Sequence, residues 1–299
     1  MVSAESIAEL PAVRHHDSRA ARRALEARRR PDTTTTSDGG LFLLAADHPA
    51  RAALRAGDDP VAMENRSELL SRLCLALAQP GVDGVLGSAD VIEDLALLGV
   101  LEDKVVLGSM NRGGLPGTVF EADDRFTGYT PAGIRQAGLE GGKMLLRIDP
   151  EDPGTARTLE ACAHAVDRLA EDGLIALVEP FWSRRTPDGL ANILTAEATA
   201  RAAVVASGLG STSAHTWLKL PAVPDVERVL SATSLPALLL GGEVSMDPLP
   251  TYAAWRRALR HPAAIGLVAG RSMLYPTDGD VGAAVRAAAA IVHQEPPTG

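Results

Sequence analysis

His215-Thr216-Trp217-Leu218-Lys219-Leu220-Pro221 places a lysine inside a short apolar run that a proline closes. The run is too short for a helix, and its composition suits a buried strand over Thr216–Leu220. An ammonium among apolar side chains is costly unless it is paired or used. Two readings follow. The stem of Lys219 is buried while its head reaches water, or the amine is a nucleophile that forms a Schiff base. The rest of the chain decides between them.

Working outward, the same signature recurs. Candidate strands are Leu41–Ala46, Gly84–Gly87, Val105–Gly108, Lys143–Ile148, Leu174–Glu179, Thr216–Leu220, Ala237–Gly241 and Ile265–Ala269. Amphipathic stretches separate them: Arg66–Gln79, Asp90–Leu98, Pro131–Leu139, Thr155–Glu171, Ala191–Ser207, Val226–Ser231 and Tyr252–Leu259, with Gly282–Val292 after the last strand. Strands alternating with helices predict a parallel sheet covered on both faces. Eight such units in roughly 255 residues predict a closed α/β architecture, the (β/α)8 TIM barrel. The competing open doubly wound sheet normally carries a glycine-rich phosphate loop after its first strand. Here Asp47-His48-Pro49 follows instead.

The 299 residues suffice for one barrel, assigned to 41–299, with a basic extension and linker over 1–40. Arg14, Arg19, Arg22, Arg23 and Arg28 to Arg30 mark that extension as a helical segment suited to packing on the acidic body or a neighbouring subunit. Thr33 to Gly40 reads as a flexible linker. A net charge of −9 argues against nucleic acid as a partner. No apolar run reaches membrane-spanning length and no signal-peptide core opens the chain. Cys74 and Cys162 fall in helical patterns without metal-ligand spacing. The expectation is a cytoplasmic homo-oligomer with no cofactor and no metal.

In a barrel, function gathers at the C-terminal ends of the strands. Asp47 and His48 follow the first strand, and Ser109, Asn111 and Arg112 the third. Lys143, Arg147 and Asp149 share one face of the fourth by period two. Glu179 ends the fifth, and Lys219 lies near the end of the sixth. Gly241-Gly242 and Gly270-Arg271 end the seventh and eighth. This set suits imine chemistry. The attacking lysine must be neutral, which burial and nearby cations such as Lys143 and Arg147 favour. Glu179 then takes the proton released as a carbon–carbon bond breaks, and Asp47 orients a hydroxyl. The glycine pairs offer backbone N–H groups and Arg271 a guanidinium fork, which fits a phosphate. A phosphorylated sugar is the expected substrate class. Each residue also has a plainer role: Glu179 as a buried ion-pair partner, His48 bonded to a carbonyl, Gly241-Gly242 as a tight turn.

The stretches Leu43-Leu-Ala-Ala-Asp47-His48, Gly142-Lys143-Met-Leu-Leu-Arg-Ile-Asp149, Val178-Glu179-Pro180, Leu218-Lys219-Leu-Pro221 and Val268-Ala-Gly270-Arg271 resemble the class I aldolases. The nearest types are the tagatose-bisphosphate, archaeal fructose-bisphosphate and deoxyribose-phosphate enzymes. The resemblance spans about residues 41 to 276 and implies the Schiff base on Lys219. It implies supporting roles for Lys143, Glu179 and Asp47, and phosphate binding by Gly270 and Arg271. Ala45-Ala-Asp-His-Pro-Ala-Arg51 and Gly108-Ser-Met-Asn-Arg-Gly-Gly114 resemble an actinobacterial branch linked to inositol catabolism. That branch implies 2-deoxy-5-keto-gluconate 6-phosphate as substrate, split into dihydroxyacetone phosphate and malonate semialdehyde. The loop from Asn111 to Pro131 departs from the pattern and is expected to form a lid, with Arg147 replacing part of the usual phosphate contact. Two alternatives stay open. One is a metal-assisted lyase using Asp47, His48 and Glu179. The other is a sugar-phosphate-binding barrel without turnover.

Overall fold

The computed structural model describes residues 2–32, 34, 39–187 and 189–294. Most of the expected linker from Thr33 to Gly40 lies outside these residues. The strands are β1 (Leu41–Ala46), β2 (Gly84–Gly87), β3 (Val105–Ser109), β4 (Gly141–Ile148), β5 (Ile175–Thr186), β6 (Gly189–Asn192), β7 (Thr216–Leu220), β8 (Ala237–Leu240) and β9 (Ala264–Ala269). All except β6 pair in parallel, in the ring order β1-β2-β3-β4-β5-β7-β8-β9 and back to β1. The protein is a closed (β/α)8 barrel.

Alternation explains both layers of the core. Leu41, Leu43, Ile175, Leu177, Leu238 and Val268 pack inside the barrel. Their neighbours Phe42, Leu44, Ala176, Val178, Leu239 and Leu267 face outward and pack against the helices. Both faces are buried, so the strands read as continuous apolar runs. The rule also fixes the polar exceptions. Leu218 and Leu220 belong to the outer layer, so Lys219 between them points into the barrel. Met144, Leu146 and Ile148 likewise face the helices, which turns Lys143, Leu145 and Arg147 inward.

The fifth strand departs from expectation. It runs through Pro180 to Thr186 and turns back as antiparallel β6, pairing Ser183 with Asn192 and Thr186 with Gly189. The helix expected from Ala191 begins only at Ala196, where Thr195 Oγ1 accepts from Ala198 N–H at 3.2 Å. A threonine cap satisfies an orphan donor of the first turn and fixes that start.

The N-terminal segment forms α1 (Ala4–His16) and α2 (Ala20–Ala27), which pack on the barrel through Ile7, Leu10 and Leu25. Arg14 pairs with Glu93 and Asp94, both at 2.8 Å. Arg28 is buried and donates to the Lys104 and Gly138 carbonyls and to Glu140 at 3.0 Å. Glu140 also accepts from Val106 N–H at 2.7 Å, so this pair clamps the segment to the root of β3. Arg28→Ala leaves a buried carboxylate short of a partner and is expected to lower stability by about 2–3 kcal/mol. An unchanged denaturant midpoint would reduce the clamp to a surface contact.

Candidate active site

Inward alternation brings four ionisable groups together in two adjacent layers near the barrel mouth. Lys143 and Leu177 are register partners, as are Leu145 and Glu179. Leu177 in turn pairs with Trp217. Glu179 and Lys219, each two residues further, therefore share the next inward layer. Glu179 Oε1 lies 2.8 Å from Lys219 Nζ, and Oε2 pairs with Lys143 Nζ. Lys143 Nζ also donates to Asp47 Oδ2 at 3.3 Å. The same oxygen accepts from Ser109 Oγ at 2.9 Å and pairs with Arg112. All four residues are buried, Lys143 and Asp47 completely.

A cavity of about 230 Å³ opens above them. Asp47, His48, Glu179 and Lys219 line it, with Gly241, Gly242, Gly270 and Arg271 on one wall and Arg147 on another. Lys143 sits beneath its floor, in contact with two of the residues that form it. Of the strand-end residues named from sequence, Asp47, His48, Arg112, Arg147, Glu179, Lys219, Gly241, Gly242, Gly270 and Arg271 line the cavity and Lys143 lies directly beneath it, whereas Ser109, Asn111 and Asp149 do not line it.

The electrostatics are asymmetric. Burial, and after it the Arg112 guanidinium, push the Lys143 ammonium well below the usual lysine range. Burial raises the Glu179 carboxyl, but Lys143 and Lys219 outweigh it and hold it well below the carboxylate norm. From sequence, Lys143 and Arg147 are the expected local positive field. The firmer cation is Arg112, which burial brings down only to about 10. Because the Glu179 carboxyl is depressed in the fold, its contribution to stability is complete above its unfolded value of about 4.3 and fades as pH falls through the folded one. Glu179→Gln should therefore flatten stability against pH below that range, measured by denaturation across an acid series.

Burial and the charges of Arg271 and Lys219 drive His48 well below the usual imidazole range. Its Nδ1 has no hydrogen-bond partner and lies 3.9 Å from Asp47 Oδ1, which has none either. An uncharged ring and an open carboxylate oxygen, both at the cavity, form a ready donor–acceptor pair for a hydroxylated ligand. The glycine wall is equally constrained. Gly242 has φ +72°, and a Cβ on Gly270 would sit 2.6 Å from the Ala45 carbonyl oxygen. Side chains are excluded, which leaves backbone facing the cavity. Arg271 Nη2 reaches the exposed Glu243 at 2.5 Å.

Arg147 plays a different part from the phosphate contact expected of it. Its Nε donates to Asp124 Oδ2 at 2.9 Å, its Nη2 pairs with the other oxygen, and Nη2 also meets the Glu121 carbonyl. It ties the 111–131 loop over β4. Asn111 does the same from the other end, bonding both the N–H and the carbonyl of Leu145. Glu121 then accepts from Leu190 N–H at 3.4 Å, joining the loop to the hairpin. Arg51, Phe181, Asn192 and Leu194 also line the cavity and were not among the expected site residues. They come from turns and the hairpin, where no periodicity marks an inward position.

The metal-binding alternative needs open oxygens on Asp47 and Glu179. Both Glu179 oxygens are paired with ammonium groups, and Asp47 Oδ2 already meets three donors. Among the described residues, no group of three His, Cys, Asp or Glu side chains is disposed to hold a metal ion. Nor is any described helix long and apolar enough to cross a membrane.

Residues 39–289 match the Cgl0159-like family. The chain belongs to that family. A solved Cgl0159 structure from Corynebacterium glutamicum is 48% identical, with 99% of each chain covered and a TM-score of 0.96. An archaeal fructose 1,6-bisphosphate aldolase shares 19% identity over 87% of this chain and 96% of its own, at TM-score 0.63. A fructose-bisphosphate aldolase from Slackia heliotrinireducens shares 16% over 93% and 86%, at TM-score 0.65. At those identities the likeness to aldolases is one of fold. No curated protein matches the chain. The Cgl0159-like barrel therefore has aldolase-type neighbours in architecture, and its chemistry must be argued from its own residues.

Proposed function

We propose that the protein is a class I aldolase acting on a phosphorylated ketose or keto sugar acid through a Schiff base on Lys219. The observation that carries this reading is the Lys219–Glu179–Lys143 chain at the cavity floor. An amine, a carboxylate and a second amine depressed by burial stand within proton-transfer reach of one another. The fold likeness to Schiff-base aldolases supports the same assignment.

The neutral Lys219 amine adds to the substrate ketone, and the carbinolamine loses water to give a protonated imine. Lys143, leaning toward the neutral form, carries protons to and from that oxygen. The Glu179 carboxylate takes the proton from the hydroxyl beyond the scissile bond. That carbon–carbon bond breaks, its electron pair moves into the iminium to form an enamine, and an aldehyde leaves. Protonation of the enamine and hydrolysis then free the ketone fragment and the amine. Asp47 Oδ1 accepts a substrate hydroxyl, and the Gly241-Gly242 and Gly270-Arg271 wall holds the phosphate, with Arg271 released from Glu243. Resemblance to the inositol-linked branch makes 2-deoxy-5-keto-gluconate 6-phosphate one substrate to assay.

Borohydride added with dihydroxyacetone phosphate should fix one ketone fragment on the protein, read by intact mass and located by peptide mapping. Attachment at Lys219 is expected. Attachment at Lys143 would exchange the roles of the two amines, and no attachment with any ketose phosphate would overturn the imine.

A further inference from the structure

The floor of the cavity brings three basic side chains against two carboxylates. Asp47 Oδ2 accepts from Lys143 Nζ at 3.3 Å and pairs with Arg112. Glu179 Oε1 lies 2.8 Å from Lys219 Nζ, and Oε2 pairs with Lys143. All five side chains are buried. The surroundings add no further negative charge. His48, beside Asp47, is held uncharged by burial and by Arg271 and Lys219. On the walls, Arg147 is matched by Asp124 and Arg271 by Glu243, while Arg51 adds one more guanidinium.

Unmatched charge is costly in a water-poor interior. Arg112 stays charged at neutral pH, since burial brings it down only to about 10. It therefore always needs a counter-ion, and Asp47 is its one carboxylate partner among the described residues. Glu179 is then the single carboxylate left for two amines. Two ammoniums against it would leave the floor with surplus positive charge. The neutral place falls to Lys143, which is completely buried and whose charged form is disfavoured by burial and then by Arg112.

We propose that Arg112 is a positioning residue for a proton: by occupying Asp47 it leaves the two lysines one carboxylate to share, so that a single proton serves both amines. The inference rests on the aldolase reading and deepens it. Lys219 reaches its attacking form by passing that proton to Lys143 through Glu179, whose two oxygens touch both amines. The Lys219 nitrogen recovers its electron pair, Lys143 becomes the ammonium, and the net charge of the floor does not change. Without Arg112, Asp47 and Glu179 would each hold one ammonium. Neither amine could then attack or receive.

The chain has three lysines, Lys104, Lys143 and Lys219. A protein isotope-labelled at the lysine ε carbon therefore gives three resonances to follow against pH, with no substrate present. Lys143 should titrate below the ordinary lysine range in the native protein. Its midpoint should rise by about one pH unit or more in Arg112→Met, and equally in Arg112→Gln. Adding Asp47→Asn to Arg112→Met removes the second carboxylate and should bring the midpoint back toward the native one. Lys104, which precedes β3 at the opposite end of the barrel, should titrate alike in every variant and reports that the fold is kept. Borohydride trapping of dihydroxyacetone phosphate should move to higher pH in Arg112→Met and return with Asp47→Asn. A Lys143 midpoint that is ordinary in the native protein overturns the proposal. So does one that stays put in Arg112→Met, or a rise that Asp47→Asn fails to reverse. If the midpoints move as expected while no ketose phosphate is trapped by the native protein, the shared proton stands and the aldolase reading falls.

Discussion

Lys219→Ala is expected to abolish borohydride trapping and lower turnover by on the order of 10⁴-fold or more, since the covalent route is lost with the nucleophile. The fold should survive. The Lys219 amine is buried and paired with Glu179 alone among the described residues. Glu179 keeps Lys143 as its partner when that amine is removed. Ligand binding should therefore persist while chemistry stops, and a titration with a non-reacting phosphate checks this. A variant that still turns over at more than about one part in a hundred would move the reactive amine elsewhere, with Lys143 the first alternative.

Glu179→Gln carries the second large effect. The amide keeps the shape of the carboxylate but cannot take a proton from a substrate hydroxyl. It also removes the charge that faces both lysines. Imine formation should continue, because the Lys219 nucleophile is intact and the carboxylate that favours a charged amine is gone. Bond cleavage should fall by about 10²- to 10⁴-fold, the usual span for a positioned general base. The signature is a build-up of trapped substrate-length adduct in place of trapped ketone fragment. If the variant cleaves at the native rate, another group accepts the proton. Asp47, with an open Oδ1 at the cavity, would be the next to test.

Much of this site was legible in the chain. Asp47, Lys143, Glu179 and Lys219 each occupy a strand or its end, where period two allows only two directions and the outward one is taken by apolar neighbours. The strands Leu41–Ala46, Gly84–Gly87 and Thr216–Leu220 have the boundaries expected of them. The fifth strand was not fully legible, because Pro180 reads as a stop. The ladder with β4 nevertheless continues past it to Trp182. Arg51 and Arg147 show the other limit. Both are basic residues near strand ends, yet one is bound to Asp124 and the other has no described partner. Nothing in their spacing separates them.

By itself, the order of residues determined the closed ring of strands and the inward set of charges, because alternation and burial on both faces are local rules repeated along the chain. Only the tertiary structure decided which charges neutralise one another: Glu179 between two lysines, Asp47 among Lys143, Ser109 and Arg112, Arg28 against Glu140. Those pairings join residues on different strands and loops. They exist once the barrel closes and water is excluded, and no periodicity in the sequence encodes them.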